Sequence, residues 1–418
     1  MRRSVLLIFF IAILLSLSSC ISEYTSSVGT LKWKLELGSF FTEVALGQDK
    51  TIYVGFSSSK ESQLLAINPN GTLKWKYVVG NNEEILSWRL SRPAIDNNGN
   101  IYILYNYSIY ENFEEKRLVW LYAINPNGTL KWKLQINKSS NYVESFSAPS
   151  IGLDGTIFVT SRTYDGYWKG YLNAINPDGS VKWVYNNSDQ IAFQSLAIDQ
   201  NGSIYFSVND YNATFNYLIA LNSDGSLKWE YETKESIGSP SIGSDGTLYF
   251  SSYDVSNKEF FLCAMNSDGI IKWKTQVENG VSQPIIGINE TLYSIGRLYN
   301  KYNVFYVYAF NSDGSLKWKT LIDEECHGGL TLGNDGTIYV IGEHSVYAID
   351  SEGTVKWKYT TNRLLNATIA IDSNGVLYIG SNTTLYAIQS ESTGLAKTAW
   401  PKSWHDNQNT GNSAFQTN

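Results

Sequence analysis

Short segments in which apolar and polar residues alternate recur along the chain. In Leu73-Lys74-Trp75 the alternation places Leu and Trp on one face of a strand and Lys on the other. Other segments, such as Ile101-Tyr102, follow turns rich in Asn, Asp and Gly, residue types that tolerate a left-handed backbone. No stretch shows a convincing helical period, so the pattern predicts an all-β fold built from many short strands.

These segments belong to a repeat in which an alanine is followed by a glycine five residues later and by a tryptophan after four more. The complete copies are Ala66/Gly71/Trp75, Ala123/Gly128/Trp132, Ala174/Gly179/Trp183, Ala220/Gly225/Trp229, Ala264/Gly269/Trp273, Ala309/Gly314/Trp318 and Ala348/Gly353/Trp357. Pro93, Pro149, Pro240 and Pro284 mark the start of a further strand, and because proline cannot donate to a sheet, this strand suits an edge position. Each repeat is therefore predicted to form four antiparallel strands.

The Ala-Gly-Trp spacing resembles the tryptophan-docking motif of the pyrroloquinoline-quinone-like (PQQ-like) β-propeller repeat. The resemblance implies an all-β, eight-bladed propeller of four-stranded antiparallel blades over residues 29–390. In that family each such tryptophan packs between neighbouring blades. By resemblance this role belongs to Trp33, Trp75, Trp132, Trp183, Trp229, Trp273, Trp318 and Trp357. Residues 391–418, which include Trp400, resemble a C-terminal tail motif common in lipoproteins of this type.

Two incomplete copies of the repeat lie near the ends of the chain. Ala387 has no tryptophan nine residues later, whereas Gly29 and Trp33 have no alanine before them. Because the two halves complete each other, we expect the N-terminal strand at 31–35 to be the outer strand of the blade that ends at Ala387. Such closure removes an exposed strand edge. In the alternative, residues near Trp400 form that strand and the N-terminus is a loose tether.

The first residues resemble a bacterial lipoprotein signal. A basic start precedes an eleven-residue apolar run, which is too short to cross a bilayer as a helix. Small residues then lead to Cys20, which implies a signal peptide over 1–19, lipidation of Cys20 and a tether over 20–28. The expected location is an exported, membrane-anchored one, with the outer membrane favoured by Ser22. An ordinary cleaved signal with a chance cysteine is the alternative.

Charge and cysteine content narrow the class of partner. The net charge is −7, and cleavage before Cys20 removes two further positive charges. A nucleic acid partner is therefore not expected, since it requires clustered Lys and Arg. With Cys20 lipidated, only Cys263 and Cys326 remain, and two cysteines in non-adjacent repeats do not form a disulfide framework.

Length differences between repeats fall between the second and third strands and between successive repeats. In the family's strand order these connections open on one face of the ring, and insertions on one face usually mark a binding side. The inserts carry rigid aromatic residues, which interfaces favour. The candidate binding residues are Tyr105, Tyr107, Tyr110, Tyr164, Tyr167, Trp168, Tyr211, Phe215, Tyr299 and Tyr302. In the alternative, these side chains pack on one another and hold the inserts down.

Sequence motifs for catalysis are absent. The sequence has no phosphate-binding glycine loop, no His-Glu-x-x-His pair and no Gly-x-Ser-x-Gly elbow. The run Asp323-Glu324-Glu325-Cys326-His327 gathers several ligand types, but adjacent residues rarely converge on one metal ion. The family's quinone-dependent dehydrogenases carry a pair of adjacent cysteines, which this chain lacks. We therefore expect no catalytic residue, no metal and no cofactor.

Together these features predict a monomeric, lipid-anchored propeller that is not an enzyme. It is expected to act as a protein-binding or assembly scaffold of the cell envelope through the face with the long inserts. In anchor and repeat it is similar to the propeller lipoproteins of the outer-membrane barrel-assembly machinery. Two alternatives are a glycan-binding propeller, whose aromatic rings stack on sugars, and a quinone-dependent dehydrogenase, which the cysteine content disfavours. An unrecognised hydrolase also stays open, because paired carboxylates on loops leave no sequence signature.

Overall fold

The computed structural model describes residues 27–413 apart from 38–41, 82–84, 146, 188–194, 210–214, 299–303, 327, 366–367 and 404. These residues form eight antiparallel sheets, each of which is one blade of a propeller. The described helical content is a single 3-10 turn at Ile288–Glu290. The predicted all-β fold of eight blades built on four antiparallel strands is confirmed.

Four strand positions recur in every blade, from the axis outward. The innermost strands have two residues each and are β2 (Ala45–Leu46), β7 (Ala94–Ile95), β12 (Ser150–Ile151), β16 (Ala197–Ile198), β21 (Ser241–Ile242), β26 (Ile285–Ile286), β30 (Thr331–Leu332) and β34 (Ala370–Ile371). The second strands are β3 (Ile52–Ser57), β8 (Ile101–Glu111), β13 (Ile157–Tyr164), β17 (Ile204–Val208), β22 (Leu248–Asp254), β27 (Leu292–Arg297), β31 (Ile338–Ile341) and β35 (Val376–Gly380).

The third and outer strands complete each blade. The third strands are β4 (Glu61–Ile67), β9 (Glu114–Ile124), β14 (Trp168–Ile175), β18 (Asn216–Leu221), β23 (Glu259–Met265), β28 (Phe305–Phe310), β32 (Ser345–Ile349) and β36 (Thr384–Gln389). The outer strands are β1 (Leu31–Glu36), β5 (Leu73–Asn81), β10 (Leu130–Ile136), β15 (Val181–Asn187), β19 (Leu227–Thr233), β24 (Ile271–Val277), β29 (Leu316–Ile322) and β33 (Val355–Thr360). Short additional strands, β6 (Ser87–Leu90), β11 (Val143–Glu144), β20 (Ser236–Ile237) and β25 (Gly280–Val281), pair with four of the second strands.

The core lies in the second and third strands. These strands carry Ile, Val, Leu and Tyr at successive positions, as in β17, where all five residues are buried. A continuous apolar run fits a strand that is covered on both faces, here by the neighbouring blades. The outer strands, such as β19, instead alternate between exposed and half-buried residues.

The tryptophan of each outer strand lies against the next blade. Its indole Nε1 donates to a backbone carbonyl in the turn of that blade, for example from Trp229 to Ser267 over 2.8 Å. The ring also covers the turn glycine: a Cβ on Gly269, which has φ +84°, would lie 2.9 Å from Cδ2 of Trp229. The equivalent carbonyl acceptors are Pro69 for Trp33, Pro126 for Trp75, Pro177 for Trp132, Ser223 for Trp183, Ser312 for Trp273 and Ser351 for Trp318, while Trp357 donates to the Glu391 carboxylate.

The N-terminal strand closes the ring. β1 pairs antiparallel with β36, and Trp33 stands opposite Ala387. Before the strand, the backbone N–H of Gly29 donates to the carbonyl of Gln389 over 2.8 Å. The predicted closure is therefore confirmed, and the alternative, in which residues near Trp400 form this strand, is wrong.

The segment over residues 391–413 instead turns inward and occupies the axis of the propeller. Trp400 is fully buried, and the segment accepts hydrogen bonds from backbone N–H groups of the innermost strands. The donor and acceptor pairs are Leu46 to Asn407, Ile95 to Gln408, Ile151 to Thr410, Ile198 to Gly411, Ile286 to Trp400 and Leu332 to Pro401, with Ile371 bound by the Asn407 side chain. The innermost strands are sheet edges, and the described part of the C-terminal segment accepts from the outward-facing N–H groups of seven of them.

Candidate functional site

The two faces of the ring differ in their connections. Turns between first and second strands and between third and outer strands, such as 47–51 and 68–72, are short and open on one side, the tight-turn face. In the second example the N–H of Gly71 donates to the Asn68 carbonyl over 2.9 Å. Connections between second and third strands and between blades open on the opposite side, the long-loop face. The longer inserts of blades 2 and 3 lie on the long-loop face.

The insert of blade 2 is an extended hairpin rather than a loop. β8 and β9 remain paired from Ile101 and Ile124 to Glu111 and Glu114. A two-residue turn of Asn112 and Phe113, with φ of 53° and 66°, joins the two strands. Primed turns of this kind match the twist of paired strands. The hairpin tip is therefore a stiff projection from the blade.

The aromatic side chains of this hairpin differ in how far they are exposed to solvent. Phe113 is 95% exposed and Tyr110 is 65% exposed at the tip. Tyr105 is 2% exposed and belongs to the core, so its assignment to the binding face is corrected. Tyr107 is half-buried, with its ring centroid 5.1 Å from that of Tyr105. Side chains alternate between the two faces of a strand, and the Tyr105 side chain lies on the face that packs against blade 1.

The hairpin of blade 3 stands beside it and carries an aromatic cluster. Tyr164 pairs with Trp168 across β13 and β14, and their ring centroids lie 5.1 Å apart. Tyr142, from the connection between blades 2 and 3, lies 5.6 Å from Trp168. Tyr164 and Tyr167 are about half exposed, at 47% and 55%. Part of this aromatic group therefore packs on itself, as the alternative interpretation of the inserts expects.

Two arginines and one glutamate join the hairpins. The Glu144 carboxylate accepts from Nε of Arg162 over 2.9 Å and also from Arg117 of β9. The Arg162 guanidinium lies 4.0 Å from the centroid of the Trp168 ring, and that of Arg117 lies 4.5 Å from the Tyr142 ring. One face of each ring is thus covered by a cation. These contacts hold blades 2 and 3 in a defined relative position.

The electrostatics follow from these contacts. Burial alone lowers the pKa of Arg117, but its hydrogen bonds to Glu115 and Glu144 outweigh burial and raise that pKa above its ordinary value. Partial burial, followed by the neighbouring Glu144 carboxylate, raises the pKa of Tyr142. Both groups therefore keep their neutral-pH charge state throughout the physiological range.

A cleft of about 220 Å³ opens where blades 2 and 3 meet, between β6 and β8 of blade 2 and β11 of blade 3, and Arg89 of β6 is part of its wall. The Ser87 and Ser108 hydroxyls, 2.7 Å apart, line it together with Asn106, whose side-chain oxygen accepts from the Ser145 backbone N–H over 3.0 Å. The cleft combines hydroxyls, an amide and a guanidinium with aromatic edges, which is a polar rim beside the exposed tips.

Of the remaining candidates for the binding face, Phe215 lies among the described residues and does not join this site. Phe215 is half-buried near Lys234, whose Nζ lies 6.0 Å from the ring centroid. Tyr211, Tyr299, Tyr302 and the lipidation candidate Cys20 lie outside the described residues. Sequence reasoning missed Tyr142, Arg117, Arg162 and Glu144, because their pairing depends on how two blades meet. The aromatic character of the connection around Tyr142 was the only available signal.

The acidic loop entering blade 7 is occupied by internal bonds. Asp323 accepts from the Tyr347 hydroxyl and from Lys358. Glu324 accepts from the Ser345 hydroxyl and from the His344 backbone N–H. Among the described residues no group of three or more His, Cys, Asp or Glu side chains is arranged to hold a metal ion. His327 lies outside the described residues, and Cys263 is buried in β23.

The chain is similar in sequence to one protein family and to one curated protein. Residues 303–417 match a family model described as the outer membrane protein assembly factor BamB. A segment of 80 residues is 36% identical to the uncharacterized protein YxaL of Bacillus subtilis, and the match covers 19% of this chain and 17% of that protein. The chain thus spans less than a fifth of the length of YxaL, the curated relative that it matches.

One solved structure shares the fold of this chain, and a second is less similar. BamB from Moraxella catarrhalis is similar with a TM-score of 0.57 and 16% identity, over 87% of this chain and 98% of that one. A streptogramin B lyase structure gives a TM-score of 0.47 and 13% identity, over 85% of this chain and 97% of that one. Identity at this level shows a common fold for the first structure. None of the described segments is a helix long and apolar enough to span a membrane.

Proposed function

We propose that the chain, which resembles PQQ-like β-propellers in its repeat and in its fold, is a lipid-anchored scaffold of the cell envelope that binds another protein. The proposed binding site is the pair of hairpin tips on the long-loop face. Phe113 and Tyr110 of blade 2 and Tyr164 and Tyr167 of blade 3 are its exposed aromatic residues. The observation that carries the proposal is the 95% exposure of Phe113 at the end of a fully paired hairpin.

Stiff presentation favours binding through these rings. Exposed aromatic side chains lose little rotamer freedom on association, and a large apolar side chain that becomes fully buried contributes about 1.5–3 kcal/mol. The hairpin backbone is already ordered by its pairing, so the partner does not have to order it. Arg89 and the hydroxyls of the adjacent cleft supply the polar rim that such interfaces carry.

A protein partner fits this surface better than a glycan. Sugar rings stack on open aromatic faces, but Arg162 and Arg117 cover one face each of Trp168 and Tyr142. The uncovered rings stand at projecting tips rather than on the floor of a groove. Projecting apolar tips match a concave apolar surface on another protein.

An envelope location is part of the same proposal. The matched family model is named for an outer membrane protein assembly factor, and Cys20 follows a lipoprotein-like signal. Lipidation of Cys20 would hold the propeller at a membrane. Cys20→Ser is expected to move the protein from the membrane fraction to the soluble fraction.

Crosslinking in native membranes, followed by purification of the protein, tests the binding face. The variant Tyr110→Ser/Phe113→Ser is compared with wild type and with Leu227→Ser. Leu227 is 53% exposed at the start of β19, so its replacement removes exposed apolar surface near the tight-turn face, although less than the two tip substitutions remove. We expect a defined protein partner that wild type and Leu227→Ser retain and the tip variant loses. Equal recovery of that partner by all three proteins would contradict the proposed face.

A further inference from the structure

The contacts of the C-terminal segment break the eightfold repetition of the propeller at one blade. In seven blades the second residue of the innermost strand donates its backbone N–H to an oxygen of that segment. In blade 5 this residue is Ile242 of β21, which is 1% exposed. Among the described residues its N–H has no hydrogen-bond partner. A buried backbone donor without an acceptor is rare and costly, so an oxygen from elsewhere is expected there.

A cleft lies at this position. It has a volume of about 380 Å³ on the tight-turn face and is lined by Ile242. Ala399 and Ser413, two residues of the C-terminal segment that are far apart along it, also line the cleft. Within the described residues, the segment contacts blade 6 at Trp400 and blade 4 at Gly411, and no described residue of it accepts from the innermost strand of blade 5.

Lys228 of β19 lines the same cleft. In blades 1, 3 and 5 the corresponding lysines, Lys74, Lys182 and Lys272, form ion pairs with Asp49, Asp154 and Asp245 of the first turn. In blade 4 that turn position is Asn201, and the described residues form no ion pair with Lys228. Within that part of the chain, its Nζ donates to the Ser203 hydroxyl over 3.4 Å.

Two carboxylates also line the cleft, and both are bound within the protein. Asp199 accepts from the backbone N–H groups of Asn201 and Ser203 and from the Tyr205 hydroxyl. Asp245 is paired with Lys272 over 3.3 Å. Among the described residues, the Lys228 ammonium therefore has no carboxylate partner and the Ile242 N–H has no acceptor, so both donors can bind a ligand in the cleft.

We propose that this cleft binds a carboxylate, with one contact from the Ile242 N–H and a charge-assisted one from the Lys228 ammonium. The carboxylate belongs either to the C-terminus of a polypeptide or to a small organic acid. Backbone N–H groups and ammonium groups together are a common donor set for carboxylates. The site is on the face opposite the proposed protein-binding hairpins and does not depend on that function.

Methyl-labelled NMR of the purified protein tests the site with N-acetylglycine as the probe. Titration with N-acetylglycine is expected to shift the methyl signals of Ile242 and Ala399. N-acetylglycinamide, which lacks the carboxylate, is expected to leave these signals unchanged. Lys228→Ala is expected to weaken binding by about tenfold or more, as for loss of a hydrogen bond to a charged group. The matched control Lys182→Ala removes a paired lysine of blade 3 and is expected to leave binding unchanged.

Comparing the binding of acetate with that of N-acetyl-triglycine distinguishes the two possible sources of the carboxylate. Tighter binding of the peptide indicates a polypeptide terminus, and equal binding indicates a small acid. A variant that ends at Ser413 excludes competition from the chain's own last five residues. Absence of shifts in the full chain, or the same affinity in Lys228→Ala, overturns the proposal. Binding only by the variant that ends at Ser413 also overturns it, because the native cleft is then already filled.

Discussion

At the scale of single residues, the repeated tryptophan and glycine act as one packing unit. The glycine has a positive φ, and its missing Cβ leaves room for the indole of the preceding blade. The indole in turn donates to a carbonyl of the same turn. Glycine in this backbone region carries no steric cost, while a side chain would meet both strain and the ring. The spacing of Gly and Trp thus reflects contacts between blades rather than within one blade.

Replacing one of these tryptophans is expected to loosen a blade interface. Trp229→Ala should lower the free energy of unfolding by about 2–3 kcal/mol, less than for a fully buried ring because Trp229 is half-buried. Trp229→Phe, which keeps the ring packing and loses the bond to Ser267, should cost about 1 kcal/mol. Urea unfolding measures both. Phe113→Ala, at the 95% exposed tip of the blade 2 hairpin, serves as the control, and a Trp229→Ala effect no larger than the control's would refute the docking role.

At the scale of elements, the ring depends on one pairing between strands from opposite ends of the chain. β1 supplies the outer strand of blade 8 and covers the edge of β36. An uncovered edge of this kind promotes association between molecules. The pairing therefore contributes to both stability and solubility.

Proline substitutions in β1 test this closure. Leu35 stands opposite Leu385, and Leu37, two residues later, donates its N–H to the Thr383 carbonyl. Because N–H groups two residues apart on a strand point to the same side, the Leu35 N–H also points to β36, and Leu35→Pro removes this donor. We expect a loss of about 2–3 kcal/mol and new oligomers in size-exclusion chromatography. Lys34→Pro places the proline one residue away, where the N–H points outward from the sheet, and is expected to have a smaller effect. Similar losses in both variants would count against closure by this edge.

At the scale of the whole molecule, the axis is filled by polar residues of the C-terminal segment. Lys402 is fully buried, and its Nζ donates to the Asp406 carbonyl over 3.1 Å and to Asn409 over 2.9 Å. Burial lowers its pKa to about 8, against the opposing influence of Asp406 and Glu43. The axis thus holds a lysine whose charged form is less stable in the folded protein than in the unfolded chain.

This lysine makes stability depend on pH in a defined direction. Between a folded-state pKa of about 8 and an unfolded value near 10.4, the unfolded chain binds the extra proton, so the free energy of unfolding rises as pH increases. The rise attributable to Lys402 is on the order of 2–3 kcal/mol when complete. Urea unfolding between pH 7.5 and 9.5, before tyrosines of the unfolded chain ionise, should show part of this rise. Lys402→Met should remove it, and identical pH profiles would contradict the assignment.

Much of the architecture was predictable because the repeat is local. Turn glycines, the alternation of Leu, Lys and Trp and the edge prolines each constrain a few neighbouring residues, and eight repetitions reinforce one another. The half-motifs at Gly29 and Ala387 even predicted how the ring closes. The candidate binding face was predicted less completely. Tyr105 and Tyr110 look alike in sequence, but hairpin geometry buries the first and exposes the second.

The sequence alone therefore determined the strand pattern, the number of blades and their closure, because these depend on short-range periodicity and on a motif with fixed spacing. The tertiary structure decided which aromatic residues are exposed, how Arg117, Glu144 and Arg162 join two blades, and where the C-terminal segment lies. It also decided that, within the residues the structure describes, the N–H of Ile242 lacks the acceptor that the corresponding residue of the other seven innermost strands has. These features arise from contacts between residues far apart in the chain, and no local pattern encodes the distance between them.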